Sequence, residues 1–119
     1  MGQILRGEPL SVYGKGDQTR SFCYVTDLVE GIVRLLRTDF SEPVNIGNPS
    51  ELTVLELARE ILAMIGAPQD NIVFHELPQD DPKRRRPDIT RAQQLLGWAP
   101  TIDRADGLKR TLDYFRTVL

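Results

Sequence analysis

Apolar positions along the chain recur with two spacings, and each spacing predicts a different kind of element. "LSVYG", Leu10 to Gly14, alternates apolar with polar residues and runs into the glycine-rich "GKGD", which predicts a short strand entering a turn. "SFCYV", Ser21 to Val25, is a second extended piece. Asp27 followed three residues later by Glu30 predicts a helix start, and Leu28, Ile32, Leu35 and Leu36 give that helix one apolar face over about 27–37. "PVNIG", Pro43 to Gly47, alternates again and predicts a brief strand. Thr53 with Glu56 has the spacing of a capping box, and Val54, Leu57, Ala58, Ile61 and Ile65 stripe the helix behind it until Gly66 and Pro68 stop it. "NIVFHEL" predicts another strand. Asp88 is placed to cap a short helix ending at Gly97, and Ala105, Leu108, Leu112, Phe115 and Leu119 line a last helix starting near Asp103. Met1 to Gly7 reads as the final turn of a helix with no cap before it, so the chain is expected to be a truncated piece.

Short strands interleaved with four main helices, without repeats or low-complexity segments, define an α/β class. A chain of 119 residues, 40% of them hydrophobic, suffices for one ordinary domain. The formal net charge of −2 opposes general polyanion binding, because nonspecific nucleic-acid affinity needs net neutralisation of many phosphates. No nucleic-acid partner is expected. No apolar run approaches the roughly 20 residues of a membrane span, and "MGQILRGEPL" lacks a signal-peptide core, so no membrane partner is expected either. Cys23 is the single cysteine; it excludes an internal disulfide, cannot make a zinc site alone and fits a reducing, cytoplasmic setting. It reads as a small buried hydrophobe. His75 has no second ligand at metal spacing, so no metal site is expected.

Two stretches carry candidate chemistry. In "YGKGDQTRSF", Gly14 and Gly16 let backbone approach a ligand, and Arg20 offers a planar fork that matches phosphate oxygens. A hairpin with a solvated arginine is the plainer reading. "DDPKRRRPD", Asp80 to Asp88, sets Lys83, Arg84, Arg85 and Arg86 between two prolines that restrict the backbone. Two arginine sources closing on one diphosphate would give bidentate hydrogen bonds and offset its charge. The plainer reading is a solvated loop whose cations pair with Asp80, Asp81 and Asp88, at about 0 to 1 kcal/mol per exposed pair. Trp98, just past the helix-stopping Gly97, reads as a packing anchor between the last two helices.

Taken together, "GEPLSVYGKGDQTRSFCYVTDLVEGI", "PVNIGNPSELTVLELA" and "LPQDDPKRRRPDITRAQQLLGWAPTIDRADGLKRTLDYF" resemble the carboxy-terminal part of the UDP-glucuronate decarboxylase branch of the extended short-chain dehydrogenases/reductases, the NAD-dependent nucleotide-sugar epimerases and dehydratases. The glycine-turn segment is shared widely in that family; the basic loop is much narrower. The resemblance implies that residues 1–119 are a carboxy-terminal nucleotide-sugar-binding portion. NAD and the Rossmann half would belong to a preceding domain of the full-length enzyme, which converts UDP-glucuronate to UDP-xylose and CO2. By motif position Arg20 and Arg85 are the expected contacts to the UDP diphosphate and ribose region, flanked by Tyr13 and Gln18, with Lys83, Arg84 and Arg86 as supporting charge. A UDP-sugar is the expected partner, and a homodimer is expected for the full-length enzyme. The chain departs from the family in lacking a glycine fingerprint after a strand and a Tyr-x-x-x-Lys pair, so no catalytic or NAD-binding residue is assigned and no activity is expected of it alone. Another nucleotide-sugar epimerase or dehydratase remains the alternative, as does a nonenzymatic module using the basic loop for RNA or a protein.

Overall fold

The computed structural model describes all residues from Met1 to Leu119. Its elements, in order, are α1 (Gly2–Leu5), β1 (Leu10–Tyr13), β2 (Thr19–Ser21), α2 (Val25–Leu36), β3 (Glu51–Thr53), α3 (Val54–Ile65), β4 (Ile72–His75), α4 (Thr90–Leu96) and α5 (Arg104–Val118). β1 pairs with β4 and β2 pairs with β3, so β1 and β2 do not form the hairpin of the plainer reading. The chain divides into two compact units, one of Met1–Arg20, Leu52–Arg84 and Leu108–Leu119, the other of Ser21–Glu51 and Arg85–Gly107.

In the first unit β1 and β4 run parallel, with Leu10 opposite Ile72 and Tyr13 opposite His75. The crossover between them includes α3, as parallel strands require a long connection. Thr53 and Glu56 form the expected capping box, with Glu56 N donating to Thr53 Oγ1 at 3.0 Å and Thr53 N donating to Glu56 Oε2 at 3.1 Å. Gly66 ends the helix at φ +82. The apolar stripe of α3, through Ala58, Ile61 and Leu62, meets Leu10 and Val12 of β1 and Ile4 of α1 in one core. Alternation along β1 thus buries its first and third residues.

The second unit is built around Trp98, Ile89 and Ala92, with Val44, Ile46 and Leu96 against them. Three local expectations change here. Pro43 to Gly47 forms no strand: Val44 and Ile46 point alternately into the core, which is what the pattern registers. Part of its backbone is satisfied by a side chain, Arg91 Nη1 donating to Pro43 O at 2.8 Å. Val25, placed in an extended piece by the sequence, already begins α2, and the strand lies earlier, over Thr19–Ser21. Asp27 is not the cap of α2; Tyr24 holds that position, and Asp27 lies buried in the first turn. Its carboxylate accepts from Thr101 N at 3.1 Å, Ile102 N at 2.9 Å and Thr101 Oγ1 at 3.0 Å.

Trp98 also differs from its expected role between α4 and α5. Its indole N–H donates to the Asp27 carbonyl at 3.0 Å, and its ring lies against Gly31 of α2, where a Cβ would be 3.2 Å from Cε2 and only 2.6 Å from Ile46 Cγ2. The tryptophan therefore packs on α2, at a place only glycine leaves open. Asp88 is not the cap of α4, a position held by Ile89; it lies one residue earlier and accepts from Thr90 N at 3.0 Å and Thr90 Oγ1 at 2.7 Å, and these bonds hold its pKa below the usual carboxylate value. Asp103 accepts from Asp106 N at 2.8 Å, matching the expected start of α5.

The consequence for α2 is an inverted amphipathic helix. It turns Asp27 and Gly31 inward and exposes Val25, Val29, Ile32 and Leu36, the last by 78%. A contiguous apolar face of this kind should bind a hydrophobic dye. Ile32→Lys with Val29→Lys is expected to lower dye fluorescence while changing stability by no more than about 0.5 kcal/mol, the range of surface substitutions. A dye-silent wild type, or a large loss of stability in the double variant, would contradict this description of the face.

Candidate functional site

The glycine turn is shaped by the helix it touches. Gly14 and Gly16 adopt φ of +62 and +75, a region that disfavours side chains. A Cβ on Gly16 would lie 2.8 Å from Leu55 Cβ and 2.9 Å from Val12 Cγ1. The close approach that the sequence suggested for a ligand is at this glycine an approach to α3. The reason lies in the unsatisfied amides of a helix start. Leu55 N donates to Gly16 O at 2.9 Å and Val54 N to Gln18 O at 2.9 Å, while Glu56 N is taken by the Thr53 hydroxyl.

Tyr13, Gln18 and Arg20 all belong to the unit organised by this turn. Tyr13 ends β1 with its ring half exposed, 5.7 Å between centroids from His75 of the neighbouring strand. Gln18 is only 5% exposed. Its Nε2 donates to Tyr13 O at 3.1 Å and closes the turn, while Oε1 is buried without a partner. Arg20 is not a solvated arginine. Its Nη1 donates to Thr19 O at 2.6 Å and Pro82 O at 2.8 Å, and its Nη2 donates to Asp81 Oδ1 at 2.7 Å. Asp81, read from the sequence as a counter-ion for the basic loop itself, pairs instead with an arginine 61 positions away.

Arg85 belongs to the second unit. Its carbonyl accepts from Ser21 Oγ at 2.9 Å, fixing the backbone, and its side chain is exposed. Pro87 lies where a Cβ on Gly47 would come within 3.1 Å, so the proline after the basic run packs on the Asn45–Gly47 segment. Arg86 and not Arg85 lines an open cavity of about 560 Å³ with Asn48, Ser50, Gln93 and Thr101. A second one, of about 670 Å³, has Arg91 stacked over Phe40 at 5.4 Å. The sequence reading missed both. Cys23 is half-buried, and burial together with the Asp27 carboxylate raises its thiol pKa, which suppresses thiolate chemistry. No group of three His, Cys, Asp or Glu side chains is arranged to hold a metal ion. No helix is long and apolar enough to cross a membrane.

A family model described as GDP-mannose 4,6 dehydratase matches residues 1–111. The chain belongs to this family of extended short-chain dehydrogenases/reductases. Among curated relatives, the chain is 51% identical to UDP-glucuronic acid decarboxylase 1 of Danio rerio over 95% of its own length and 27% of the relative's. It is 49% identical to UDP-glucuronic acid decarboxylase 2 of Arabidopsis thaliana over 98% and 26%. Among solved structures, UDP-glucuronic acid 4-epimerase of Bacillus cereus, in complex with UDP-glucuronic acid and NAD, superposes with a TM-score of 0.89 at 31% identity, covering 99% of this chain and 38% of the other. UDP-glucose 4-epimerase of Thermotoga maritima, with UDP-glucose, gives 0.92 at 30% identity, over 98% and 38%. The family fold is therefore present, and the chain spans about a quarter of the length of these curated relatives.

The turn offers a direct check on its packing. Gly16→Ala is expected to destabilise the chain by roughly 2 to 4 kcal/mol, combining a left-handed backbone with overpacking against Leu55 and Val12. Denaturant melts would measure it; a loss below that of an ordinary surface alanine would show that the turn is not constrained by α3.

Proposed function

We propose that this chain is the nucleotide-sugar-binding portion, residues 1–119, of an enzyme that converts UDP-glucuronate to UDP-xylose and CO2. Near-50% identity to UDP-glucuronic acid decarboxylases across almost the whole chain supports the reaction class. The geometric observation that carries the substrate class is Arg20, a guanidinium held at the end of a glycine turn by three acceptors with two N–H groups to spare. In this reading Arg20 and Arg85 contact the diphosphate and ribose region of the UDP-sugar. Tyr13 flanks the nucleotide with its exposed ring, and Gln18, being buried, acts on it through the turn it closes. Lys83, Arg84 and Arg86 supply charge. The homodimeric assembly and cytoplasmic location expected of the full-length enzyme belong to the same reading.

NAD accompanies the family's chemistry, and several related structures contain it. The residues of this chain do not fit a dinucleotide. Its glycine turn leads from β1 into β2 and not into a helix, and the first amides of α3 are already occupied by Gly16, Gln18 and Thr53. A pyrophosphate cradle needs those amides open. In this reading NAD is held outside these residues.

A second reading, another nucleotide-sugar epimerase or dehydratase, is favoured by the close superposition on epimerases; it shares the binding role and differs in product. A nonenzymatic RNA module would instead show affinity falling steeply with salt and no preference for UDP-sugars. Calorimetric titration of the chain with UDP at fixed salt is the test. Arg20→Ala and Arg85→Ala are each expected to weaken binding by roughly 1.5 to 3 kcal/mol, the range for hydrogen bonds to charged groups, with exposed Arg59→Ala as the neutral control. With UDP-glucuronate and NAD, the chain alone should release no CO2 above background. Absence of UDP binding, equal affinity of all three variants, or turnover of about 1 per second or faster would each overturn the reading.

A further inference from the structure

We propose that Asp81 is a positioning residue for Arg20, fixing the guanidinium so that one edge of it is presented to the phosphate oxygens of a nucleoside diphosphate; this rests on the reading of Arg20 above. A guanidinium carries five N–H donors in a rigid plane. Both donors of Nη1 are spent, on Thr19 O at 2.6 Å and Pro82 O at 2.8 Å, and one of Nη2 goes to Asp81 Oδ1 at 2.7 Å. What remains is the Nε–H and the second Nη2–H. With Asp81 on the Nη2–H that faces away from Nε, these two share one edge of the guanidinium plane, the spacing at which a fork meets two oxygens of a phosphate.

Two of the acceptors come from the loop that also carries the basic run. Thr19 N donates to Lys83 O at 2.6 Å, so residues 81–83 are laid along the start of β2. Asp80, at φ +70, turns the chain immediately before the pair, in a conformation that aspartate tolerates better than most residues. The Arg20 and Asp81 side chains are 23% and 26% exposed, so the pair is partly shielded from water and salt. A long side chain that would otherwise sample many rotamers is thereby ordered before a ligand arrives, and ordering in advance removes part of the cost of binding.

Asp81 also brings a negative charge close to where a diphosphate would sit. Orientation and charge therefore act in opposite directions, and two substitutions separate them. Asp81→Asn keeps an Oδ1 acceptor and removes the charge; Asp81→Ala removes both. If Asp81 positions Arg20, Asp81→Asn should bind UDP at least as tightly as the wild type, whereas Asp81→Ala should bind about tenfold more weakly, the effect of losing a charged hydrogen bond. In an Arg20→Ala background the alanine substitution should add no further loss. Before any ligand is added, slow rotation about the Nε–Cζ bond should keep the Nη1 and Nη2 resonances of Arg20 separate in the wild type and in Asp81→Asn, and fast rotation should merge them in Asp81→Ala.

If both Asp81 variants bind more tightly than the wild type, the aspartate is a competitor for Arg20 and the proposal falls. If both bind as the wild type does, or if the Arg20 resonances are unchanged in Asp81→Ala, positioning is refuted while the UDP reading stands. A wild-type chain that does not bind UDP sinks that reading and this inference together. Thermal melts identify a variant that fails to fold, in which case Asp81→Asn with the Arg20 resonances decides.

Discussion

The first turn of α3 needs acceptors for amides that no helix can satisfy internally, and the glycine turn supplies them. Carbonyls of Gly16 and Gln18 reach Leu55 and Val54, and the turn can come this close because Gly16 has no Cβ. The placement proposed for Tyr13, Gln18 and Arg20 hangs from that contact. It sets where β1 ends, buries Gln18, and places Arg20 within reach of Asp81 and Pro82. The capping box completes the arrangement, so a helix start often free to bind an anion is here closed by protein groups.

The second unit relies on a different device. Asp27 accepts three hydrogen bonds from Thr101 and Ile102, and its own carbonyl accepts the Trp98 indole N–H. A buried carboxylate is tolerable only when its oxygens are satisfied, and here they are. The helix is consequently held by polar bonds and by the close fit at Gly31, with its most apolar residues left outside.

Local signals were legible in the sequence. Thr53 with Glu56, the stops at Gly66 and Gly97, and the start at Asp103 depend on residues within a turn of one another, and the three helices they mark are present. Signals that depend on distant partners were not. The alternation of Val44 and Ile46 reports burial and cannot report whether a neighbouring strand is there to pair with. Asp27 has the residue type and spacing of a cap, yet its acceptors are used by amides more than 70 positions later. For the candidate site, Arg20 was found from its place after a glycine turn, whereas Asp81 was hidden because its partner lies 61 residues away and nearer cations offered a simpler pairing.

Trp98 is the only tryptophan in the chain, and it is 2% exposed with its indole N–H bonded. The first unit contains tyrosine but no tryptophan. Emission excited selectively at the indole therefore reads the environment of α2, α4 and the Asp27 bonds, and is blind to the packing of α3 on β1. Circular dichroism, by contrast, sums over every helix, and α3 contributes as many residues to it as α2. Agreement or divergence of the two signals on unfolding would say whether the two discontinuous units melt as one cooperative body or separately.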